Sequence, residues 1–156
     1  MKKELVAYFS PTGTTARAAR ALAEAAGADI YEIKPAVPYT RADLNWNDTH
    51  SRSSREMNDP ASRPELADVP DVSAYERIYL GFPIWWYTAP KIIRTFLENC
   101  DLNGKTIILF ATSGGSGISG AAHELAPCCP GAVIREGRLL NGRPSVSDLK
   151  SWISKL

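Results

Sequence analysis

The residues from Ser10 to Thr15 have types that suit the binding of an anion. This stretch, Ser-Pro-Thr-Gly-Thr-Thr, lies between an apolar run, Leu5–Phe9, and an amphipathic helical pattern that begins at about Thr14. Glycine lets the backbone approach a ligand closely, and the first N–H groups of a helix have no intrahelical partner. The helix dipole also favours negative charge at that end. The stretch therefore predicts a phosphate site formed by Ser10, Thr12, Gly13, Thr14 and Thr15; a hydroxyl-rich helix cap that binds nothing is the alternative.

The phosphate loop, as we call Ser10–Thr15, contains no lysine, and the pattern Gly-x-x-x-x-Gly-Lys-Ser/Thr is absent from the sequence. Binding of a nucleoside triphosphate with Mg²⁺ is therefore disfavoured. No acidic cluster of the kind that a phosphorylated receiver domain needs follows the first apolar run. These absences leave a smaller phosphorylated ligand as the better prediction.

Two further stretches have compositions that suit a planar ligand. The first offers flat aromatic faces beside a proline and consists of Pro83, Ile84, Trp85, Trp86 and Tyr87. The second, the glycine loop, offers backbone N–H groups with little side-chain obstruction and consists of Ser113, Gly114, Gly115, Ser116 and Gly117. Taken separately, each has a simpler interpretation, as core aromatic residues or as a flexible turn.

The order of the apolar runs determines where these stretches lie. Strands are predicted at Leu5–Phe9, Asp29–Ile33, Ile78–Phe82, Thr106–Ala111 and Ala132–Ile134, the last continued by Gly137–Leu140. Helices are predicted at Thr14–Ala26, from Pro90 onward, up to about Leu125, and after a cap at Ser145 or Ser147. This alternation predicts an α/β fold with a parallel sheet covered by helices on both faces. Ligands of such sheets bind at the carboxyl ends of the strands, where all three stretches would meet.

A ligand that suits all three stretches has a phosphate at one end and a large planar heterocycle at the other. Flavin mononucleotide (FMN) has this shape, so the sequence predicts FMN as the cofactor. Two-electron reduction tends to leave negative charge on the flavin ring, and an apolar aromatic wall disfavours that charge. The nearest lysine to the aromatic stretch is Lys91. Three arginines, Arg52, Arg55 and Arg63, are more distant in the sequence from both ring-binding stretches. We expect a low reduction potential unless one of these arginines reaches the ring.

Residues 35–73, which we call the excursion, differ from the rest of the chain in being rich in Asn, Asp, Ser, Arg and Pro. Connections of this length are usually lids, binding loops or linkers. Thr40–Trp46 is predicted as a short helix capped by Thr40, with Asp43 in the capping-box position. A second helical turn is predicted at Ser54–Met57. Trp46 and Leu66 argue against full disorder, because each needs a surface to pack on.

Length and composition predict one domain spanning residues 1–156. The formal net charge of +1 gives no indication of a nucleic acid or anionic membrane partner, and no apolar run is long enough to span a bilayer. The three cysteines, Cys100, Cys128 and Cys129, form neither a disulfide pattern nor a metal-binding pattern. Cys128 and Cys129 are interpreted as buried thiols, with a redox-active pair as the alternative. Together with the absence of a cleavable signal pattern, these cysteines predict a cytoplasmic protein.

Several of these motifs together resemble the flavodoxin family. Ser10-x-Thr12-Gly13-x-Thr15 matches that family's phosphate loop, Thr/Ser-x-Thr-Gly-x-Thr. Four other segments are similar to a subgroup of small bacterial flavodoxin-like proteins: Pro83–Trp86 followed by Ala89-Pro90, Asp43–Trp46, Arg63–Leu66 and Thr112–Gly117. The resemblance implies a five-stranded parallel sheet in the order 2-1-3-4-5. It also implies non-covalently bound FMN, with Ser10–Thr15 on the phosphate, Trp85–Tyr87 along the ring and Ser113–Gly117 at the pyrimidine end.

The sequence departs from the resembling proteins in two respects. Electron-carrier flavodoxins are usually strongly acidic, whereas this chain is nearly neutral. Members of the subgroup also often have glycine where Tyr87 stands, and tyrosine makes a change of backbone conformation there more costly. Two functions remain open: electron transfer to a redox partner protein, and FMN-dependent reduction of a small acceptor such as a quinone by NAD(P)H. A domain that holds FMN without turnover is a third alternative, and monomer and homodimer are both compatible with the sequence.

Overall fold

The fold, described by a computed structural model for residues 3–113, 117–141 and 144–156, is built around one β-sheet. Its strands are β1 (Glu4–Tyr8), β2 (Asp29–Glu32), β3 (Arg77–Pro83), β4 (Thr106–Thr112) and β5 (Val133–Leu139). Its helices are α1 (Thr14–Ala26), α2 (Arg52–Asn58), α3 (Lys91–Asn99), α4 (Ala121–Leu125) and α5 (Val146–Ile153), with a 3₁₀ turn at Ala126–Cys128.

The sheet is parallel throughout and has the strand order β2-β1-β3-β4-β5. This confirms the predicted α/β fold and the predicted order. The central strands β1, β3 and β4 are buried on both faces, which explains their continuous apolar sequences. β2, whose residues alternate, lies at an edge of the sheet, as predicted.

Alternate residues of each central strand face two different helical layers. Val6, Tyr79 and Ile108 pack with α1 and α5 on one side. Leu5, Ile78 and Ile107 pack with α3, α4 and part of the excursion on the other. The small alanine face of α1 allows this helix to lie close to the sheet, and Gly27 ends it in the left-handed conformation (φ 64°). The two layers hold the sheet rigid beneath its carboxyl edge.

The fifth strand is continuous, and a β-bulge explains why its sequence looked interrupted. The register of β5 against β4 shifts between Ile108 and Phe110, so that an extra residue of β5 is accommodated there. Gly137 lies at this shift, and a Cβ atom on it would be 1.9 Å from the carbonyl oxygen of Leu109. Glycine is therefore required at this position because the two backbones approach too closely for a side chain.

One helix boundary differs slightly from the sequence prediction, and another is decided between two predicted caps. Pro90 was expected in the first turn of a helix; it is the N-cap of α3 and the helix begins at Lys91. In α5, Ser145 is the cap and accepts a hydrogen bond from the N–H of Asp148 (3.0 Å). Leu149 is the one fully buried residue on its predicted apolar face, and the others, Val146, Trp152, Ile153 and Leu156, are half-buried.

The predicted helix at Thr40–Trp46 is wrong, since this part of the excursion forms a series of turns. The capping-box bonds between Thr40 and Asp43 are present, but no helix continues from them. Instead, the side chains of Asn45 and Asp48 accept hydrogen bonds from the N–H groups of Asn47 and His50. Such local bonds offer the backbone an alternative to a helix.

The two apolar residues of the excursion behave differently from each other. Leu66 packs against the core, as expected. Its segment is fixed by a hydrogen bond that the N–H of Ala36 donates to the carbonyl of Glu65 (2.8 Å). The expectation that Trp46 packs is wrong, because 69% of its surface is exposed. The second helical turn is confirmed and is longer than predicted, since α2 spans Arg52–Asn58.

The three cysteines are free thiols. Cys128 and Cys129 are buried, as interpreted from the sequence, and burial raises the pKa of the Cys129 thiol. Burial also raises the pKa of Cys100 to about 11. Because the thiolate is the reactive form, these two side chains have little reactivity near neutral pH. In the described part of the chain, no helix combines the length and the apolar character needed to cross a bilayer.

The close approach at Gly137 leads to a stability prediction. Gly137→Ala should lower the free energy of unfolding by about 1–3 kcal/mol, because the added methyl group forces β4 and β5 apart. Urea unfolding followed by circular dichroism measures this loss. Glu136→Ala is the control, since Glu136 is exposed on the same bulge and should change stability by less than about 0.5 kcal/mol. Equal stability of G137A and E136A would contradict the prediction.

Candidate functional site

The phosphate loop has the geometry of an anion site. Gly13 is the N-cap of α1 with φ 90°, and apart from its chain neighbours no heavy atom of a described residue lies within 4 Å of the position that a Cβ would occupy. Among the described residues no acceptor is found for the N–H groups of Thr14 and Thr15, and the first turn of α1 contains no acidic residue. These groups therefore lie at an open helix terminus with its dipole uncompensated.

The hydroxyl groups of this loop have different roles. Thr12 and Thr14 are exposed, so their hydroxyls are available to a ligand. Ser10 accepts a hydrogen bond from the N–H of Ala16 (3.0 Å), which shapes the loop and leaves its own proton free to be donated. Thr15 is buried and its hydroxyl lies 2.8 Å from that of Thr112. Thr15 thus faces the sheet, and its N–H is the group that it presents at the helix terminus.

Thr112, the last residue of β4, connects the phosphate loop to the aromatic stretch. Its hydroxyl bonds Thr15, and its carbonyl accepts the N–H of Ile84 (2.9 Å). The side chain of Thr112 is 4% exposed, so both bonds are shielded from water. The prediction that these two stretches meet at one edge of the sheet is therefore confirmed.

The residues Trp85–Thr88 form a tight turn, which we call the aromatic turn. Trp85 and Thr88 exchange two backbone hydrogen bonds (2.9 and 3.0 Å). The two residues between them lie in the left-handed region, Trp86 with φ 48° and Tyr87 with φ 67°. Positive φ at both central positions is the pattern of a type I′ turn, which usually contains Asn and Gly.

The aromatic turn is strained, and it is not required to close a hairpin. A non-glycine residue in the left-handed region costs about 1–2 kcal/mol. The tip of the aromatic turn is nevertheless exposed to solvent, since Trp86 is 43% exposed and Tyr87 is 79% exposed. Strain of this kind persists where the surrounding structure holds it, and it is typical of functional sites.

The glycine loop is only partly described. Gly114, Gly115 and Ser116 lie outside the described residues. At the two ends of the loop, Ser113 and Gly117 are described, and the N–H of Ser113 donates to Oδ1 of Asn141 (2.8 Å). This bond ties the loop to the residues that follow β5. Sequence reasoning did not single out Asn141, because no local pattern relates it to a loop 28 residues away.

The excursion reaches the site through a residue that sequence reasoning also missed, Tyr39. Its ring contacts Phe9 at the end of β1 and Trp85 in the aromatic turn, with centroid distances of 5.6 and 5.7 Å. Phe9 and Trp85 are themselves 5.8 Å apart. The three rings, here called the aromatic trio, have no sequence signature, because each belongs to a different segment.

Two of the basic residues considered from the sequence, Arg52 and Arg63, are paired with carboxylates, and Lys91 is buried. Arg52 pairs with Glu56 (2.9 Å) and donates to the carbonyl of Val37 (2.7 Å), while Arg63 pairs with Glu98 (2.7 Å). Lys91 is buried, and desolvation, with smaller contributions from the positive charges of Arg94 and Arg63, lowers its pKa. Two of the three arginines considered from the sequence therefore have carboxylate partners within the protein.

Beside the phosphate loop lies a groove of about 440 Å³. Its walls are mostly apolar and include Pro11, Ile33, Pro35, Pro38 and Tyr39. Within the described ranges, no group of three or more His, Cys, Asp and Glu side chains is arranged to hold a metal ion. The site thus combines a helix terminus with the geometry of an anion site, exposed aromatic rings and an adjacent groove.

The buried bond between Thr15 and Thr112 leads to a testable prediction. Thr112→Val should lower the free energy of unfolding by about 1–3 kcal/mol, because the Thr15 hydroxyl loses its partner in a buried position. The double variant Thr15→Val/Thr112→Val should recover part of this loss, since both polar groups are then removed. Urea unfolding of the two single variants and the double variant measures the coupling. Strict additivity of the two single effects would show that the bond contributes nothing.

The strain of the aromatic turn leads to a second prediction. Tyr87→Asn should raise the free energy of unfolding of the flavin-free protein by about 0.5–1 kcal/mol, because asparagine tolerates the left-handed region better. Tyr87→Ala, which also removes the exposed ring but keeps the penalty, is the control and should give no gain. Thermal unfolding measures the difference. A gain in Y87A equal to that in Y87N would assign the effect to the loss of the ring.

Comparison with known proteins places this geometry in a family. The family model described as flavodoxin matches residues 3–156. A candidate flavoprotein from Bacteroides uniformis is 55% identical, with a TM-score of 0.92 and coverage of 98% of each chain. A candidate flavoprotein from Bacteroides eggerthii is 50% identical, with a TM-score of 0.94 and coverage of 99% of this chain and 98% of that chain.

A flavoprotein from Lactobacillus acidophilus, solved in complex with FMN, is 20% identical, with a TM-score of 0.69 and coverage of 98% of this chain and 99% of that chain. At this identity the likeness shows a shared fold. No curated protein matches the chain. The match of the family model along residues 3–156, together with the strand order and the phosphate loop, shows that the chain belongs to the flavodoxin family.

Proposed function

We propose that this protein binds FMN non-covalently and acts as an electron-transfer flavoprotein. The observation that carries the proposal is the open terminus of α1: the N–H groups of Thr14 and Thr15 have no acceptor among the described residues, and Thr112 connects this terminus to the aromatic turn. A phosphate fits the helix terminus, and a planar ring fits beside the exposed aromatic residues. Membership of the flavodoxin family and the FMN complex of the Lactobacillus acidophilus protein support this choice of cofactor.

Each part of the site would contribute differently to binding. The N–H groups of Thr14 and Thr15 and the hydroxyls of Ser10, Thr12 and Thr14 would hold the phosphate. Gly13 would allow the backbone to approach it. Residues 83–87 would line the ring, and Ser113–Gly117 would contact its polar edge.

FMN, when bound, supplies one- and two-electron redox chemistry. The protein's own contribution is to exclude water and to control charge. The aromatic turn gives an apolar surface, and Arg52 and Arg63 are held by Glu56 and Glu98. Anionic charge beside this surface therefore gains little from those arginines, which supports the expectation of a low potential.

Replacement of Gly13 tests the cofactor assignment. Gly13→Val should weaken FMN binding about 100-fold, because a β-branched side chain occupies the space in front of the N–H groups, each of which donates to a charged phosphate. Gly104→Val is the matched control, since Gly104 also has a positive φ (78°) and open space, and lies at the opposite edge of the sheet.

Titration of each protein with FMN, followed by quenching of flavin fluorescence, measures the dissociation constants. The wild-type protein should turn yellow and bind FMN tightly, and G104V should bind it equally well. Equal affinity of G13V and G104V for FMN would show that the phosphate loop does not contribute to FMN binding. No binding of FMN by the wild-type protein would overturn the proposal as a whole.

A second candidate function is FMN-dependent reduction of a small acceptor, such as a quinone, by NAD(P)H. The groove of about 440 Å³ beside the phosphate loop favours it, because this volume suits a small molecule. The nearly neutral net charge favours it as well, since partner proteins of electron carriers are usually recruited by a strong field. Rapid oxidation of NADPH by the FMN-loaded protein in the presence of menadione would identify this function. Absence of turnover would favour transfer between proteins.

A further inference from the structure

We propose that Tyr39 is a positioning residue of the candidate site: fixed by Arg52 and Glu56, its ring supports Trp85 and so sets the orientation of the aromatic turn. The excursion is then a wall of the site that is built into the fold. The proposal rests on the proposed function where flavin binding is its readout, and a flavin-free measurement is included to separate the two.

The first argument is the arrangement of the aromatic trio. All three ring pairs meet edge to face, with interplanar angles of 61°, 80° and 73°. Such T-shaped contacts are directional, because the positive edge of one ring meets the negative face of another. Phe9 is anchored in the core with 2% exposure, so Tyr39 and Trp85 share a rigid base. Moving Tyr39 therefore removes one of the two rings against which Trp85 is packed.

The second argument is that Tyr39 is held from the other side. The guanidinium carbon of Arg52 lies 3.8 Å from the centroid of the Tyr39 ring, in a cation–π arrangement. Nε of Arg52 donates to Glu56 (2.9 Å), and its Nη1 donates to the carbonyl of Val37 (2.7 Å). The hydroxyl of Tyr39 donates to the other oxygen of Glu56. Tyr39, Arg52 and Glu56 thus form a closed set in which each residue contacts the other two.

The raised pKa of the Tyr39 hydroxyl preserves its hydrogen bond to Glu56. Burial, with a further contribution from the bond to Glu56, raises the pKa of Tyr39 far above its ordinary value. The positive charge of Arg52 opposes this shift, and the negative charge of Asp43 adds to it. The hydroxyl therefore keeps its proton and remains a donor to Glu56 across the physiological range.

The third argument is that the aromatic turn needs support. Its two central residues are held in the left-handed region, and its own bonds are the two between Trp85 and Thr88. Outside the turn, Thr88 donates to Glu124 (3.0 Å), and Ile84 is bound to Thr112 (2.9 Å). Both of these contacts lie on the β4 and α4 side. Tyr39 contacts Trp85 from the excursion, on a different side, and so adds to this support.

Tyr31 provides a matched comparison for Tyr39. It is also partly buried, packs against the same hydrophobic cluster and donates its hydroxyl to a carboxylate, that of Asp68 (3.0 Å). Its ring is not part of the aromatic trio. A residue that only contributes to packing should behave like Tyr31 when it is replaced. A positioning residue should not.

The experiment compares Tyr39→Leu, Tyr39→Phe and Tyr31→Leu. Y39L should bind FMN about tenfold more weakly than wild type, which is about 1.4 kcal/mol, and should change the visible circular dichroism of the bound flavin. Y39F keeps the ring and should bind within about twofold of wild type. Y31L should also bind within about twofold, even where its melting temperature falls as far as that of Y39L. Equal FMN affinity and equal flavin spectra of Y39L and Y31L would overturn the proposal.

Two further measurements cover the remaining outcomes. Arg52→Met keeps all three rings but removes the cation and its bonds, so it should weaken FMN binding about threefold to fivefold; if Y39L does not fold, this variant decides. Near-ultraviolet circular dichroism of the flavin-free proteins reports the packing of the aromatic side chains, Trp85 among them, independently of FMN. Y39L should lose the aromatic signal that Y31L retains. Retention of that signal in Y39L overturns the proposal even where wild type itself binds no flavin.

Discussion

The buried contacts of Thr112 are the constraint on which the candidate site depends. Its hydroxyl bonds Thr15 at the start of α1, and its carbonyl bonds Ile84 just before the aromatic turn. Three separate strand ends are thereby brought into a fixed relation at one residue. Because Thr112 is almost completely shielded from water, loss of either bond would leave an unsatisfied polar group, which is costly. The distance between an anion at α1 and a ring beside Trp85 is consequently set by the sheet itself.

The aromatic turn shows what this rigidity allows. Trp86 and Tyr87 adopt a backbone conformation that glycine would adopt at no cost. Because proteins of the resembling subgroup often have glycine where Tyr87 stands, we expect tyrosine to make a change of backbone conformation there more costly. In this structure the left-handed conformation is present, and the packing of Trp85 and the bonds of Thr88 hold it. The strain is therefore located where large aromatic surfaces are displayed to solvent.

The distribution of charge separates this protein from a strongly acidic electron carrier. Arg52 pairs with Glu56 within the excursion, and Arg63 pairs with Glu98 and so attaches the excursion to α3. The chain as a whole carries a formal charge of +1, so it does not generate the long-range field that recruits basic partners. Under the proposed function, short-range contacts at the exposed aromatic turn, or a small molecule in the groove, would then be the more suitable routes for electrons. The two candidate functions differ in which of these routes is used.

The sequence by itself determined the α/β fold and the position of the phosphate loop, because these depend on local patterns, whereas the strand order followed from the resemblance to the flavodoxin family. Continuous apolar runs indicate strands buried on both faces, and a hydroxyl-glycine turn before an alanine-rich helix indicates an anion site. The edge position of β2 and the cap at Ser145 were predictable for the same reason. The helix expected at Thr40–Trp46 does not form, because hydrogen bonds to the side chains of Asn45 and Asp48 compete with helical hydrogen bonds. Helix propensity alone does not predict which of the two kinds of hydrogen bond prevails.

Only the tertiary structure decided which residues meet at the site. Thr15 and Thr112 are 97 positions apart, and Phe9, Tyr39 and Trp85 come from three segments with no common pattern. The left-handed backbone of Trp86 and Tyr87 was also invisible in the sequence, since tyrosine and tryptophan favour other conformations. Contacts of this kind arise from the packing of the whole chain, in which the gain from burying many groups outweighs a local cost. The local sequence shows only that the left-handed backbone is unfavourable for tryptophan and tyrosine, whereas the contacts that stabilise it are formed in the folded structure.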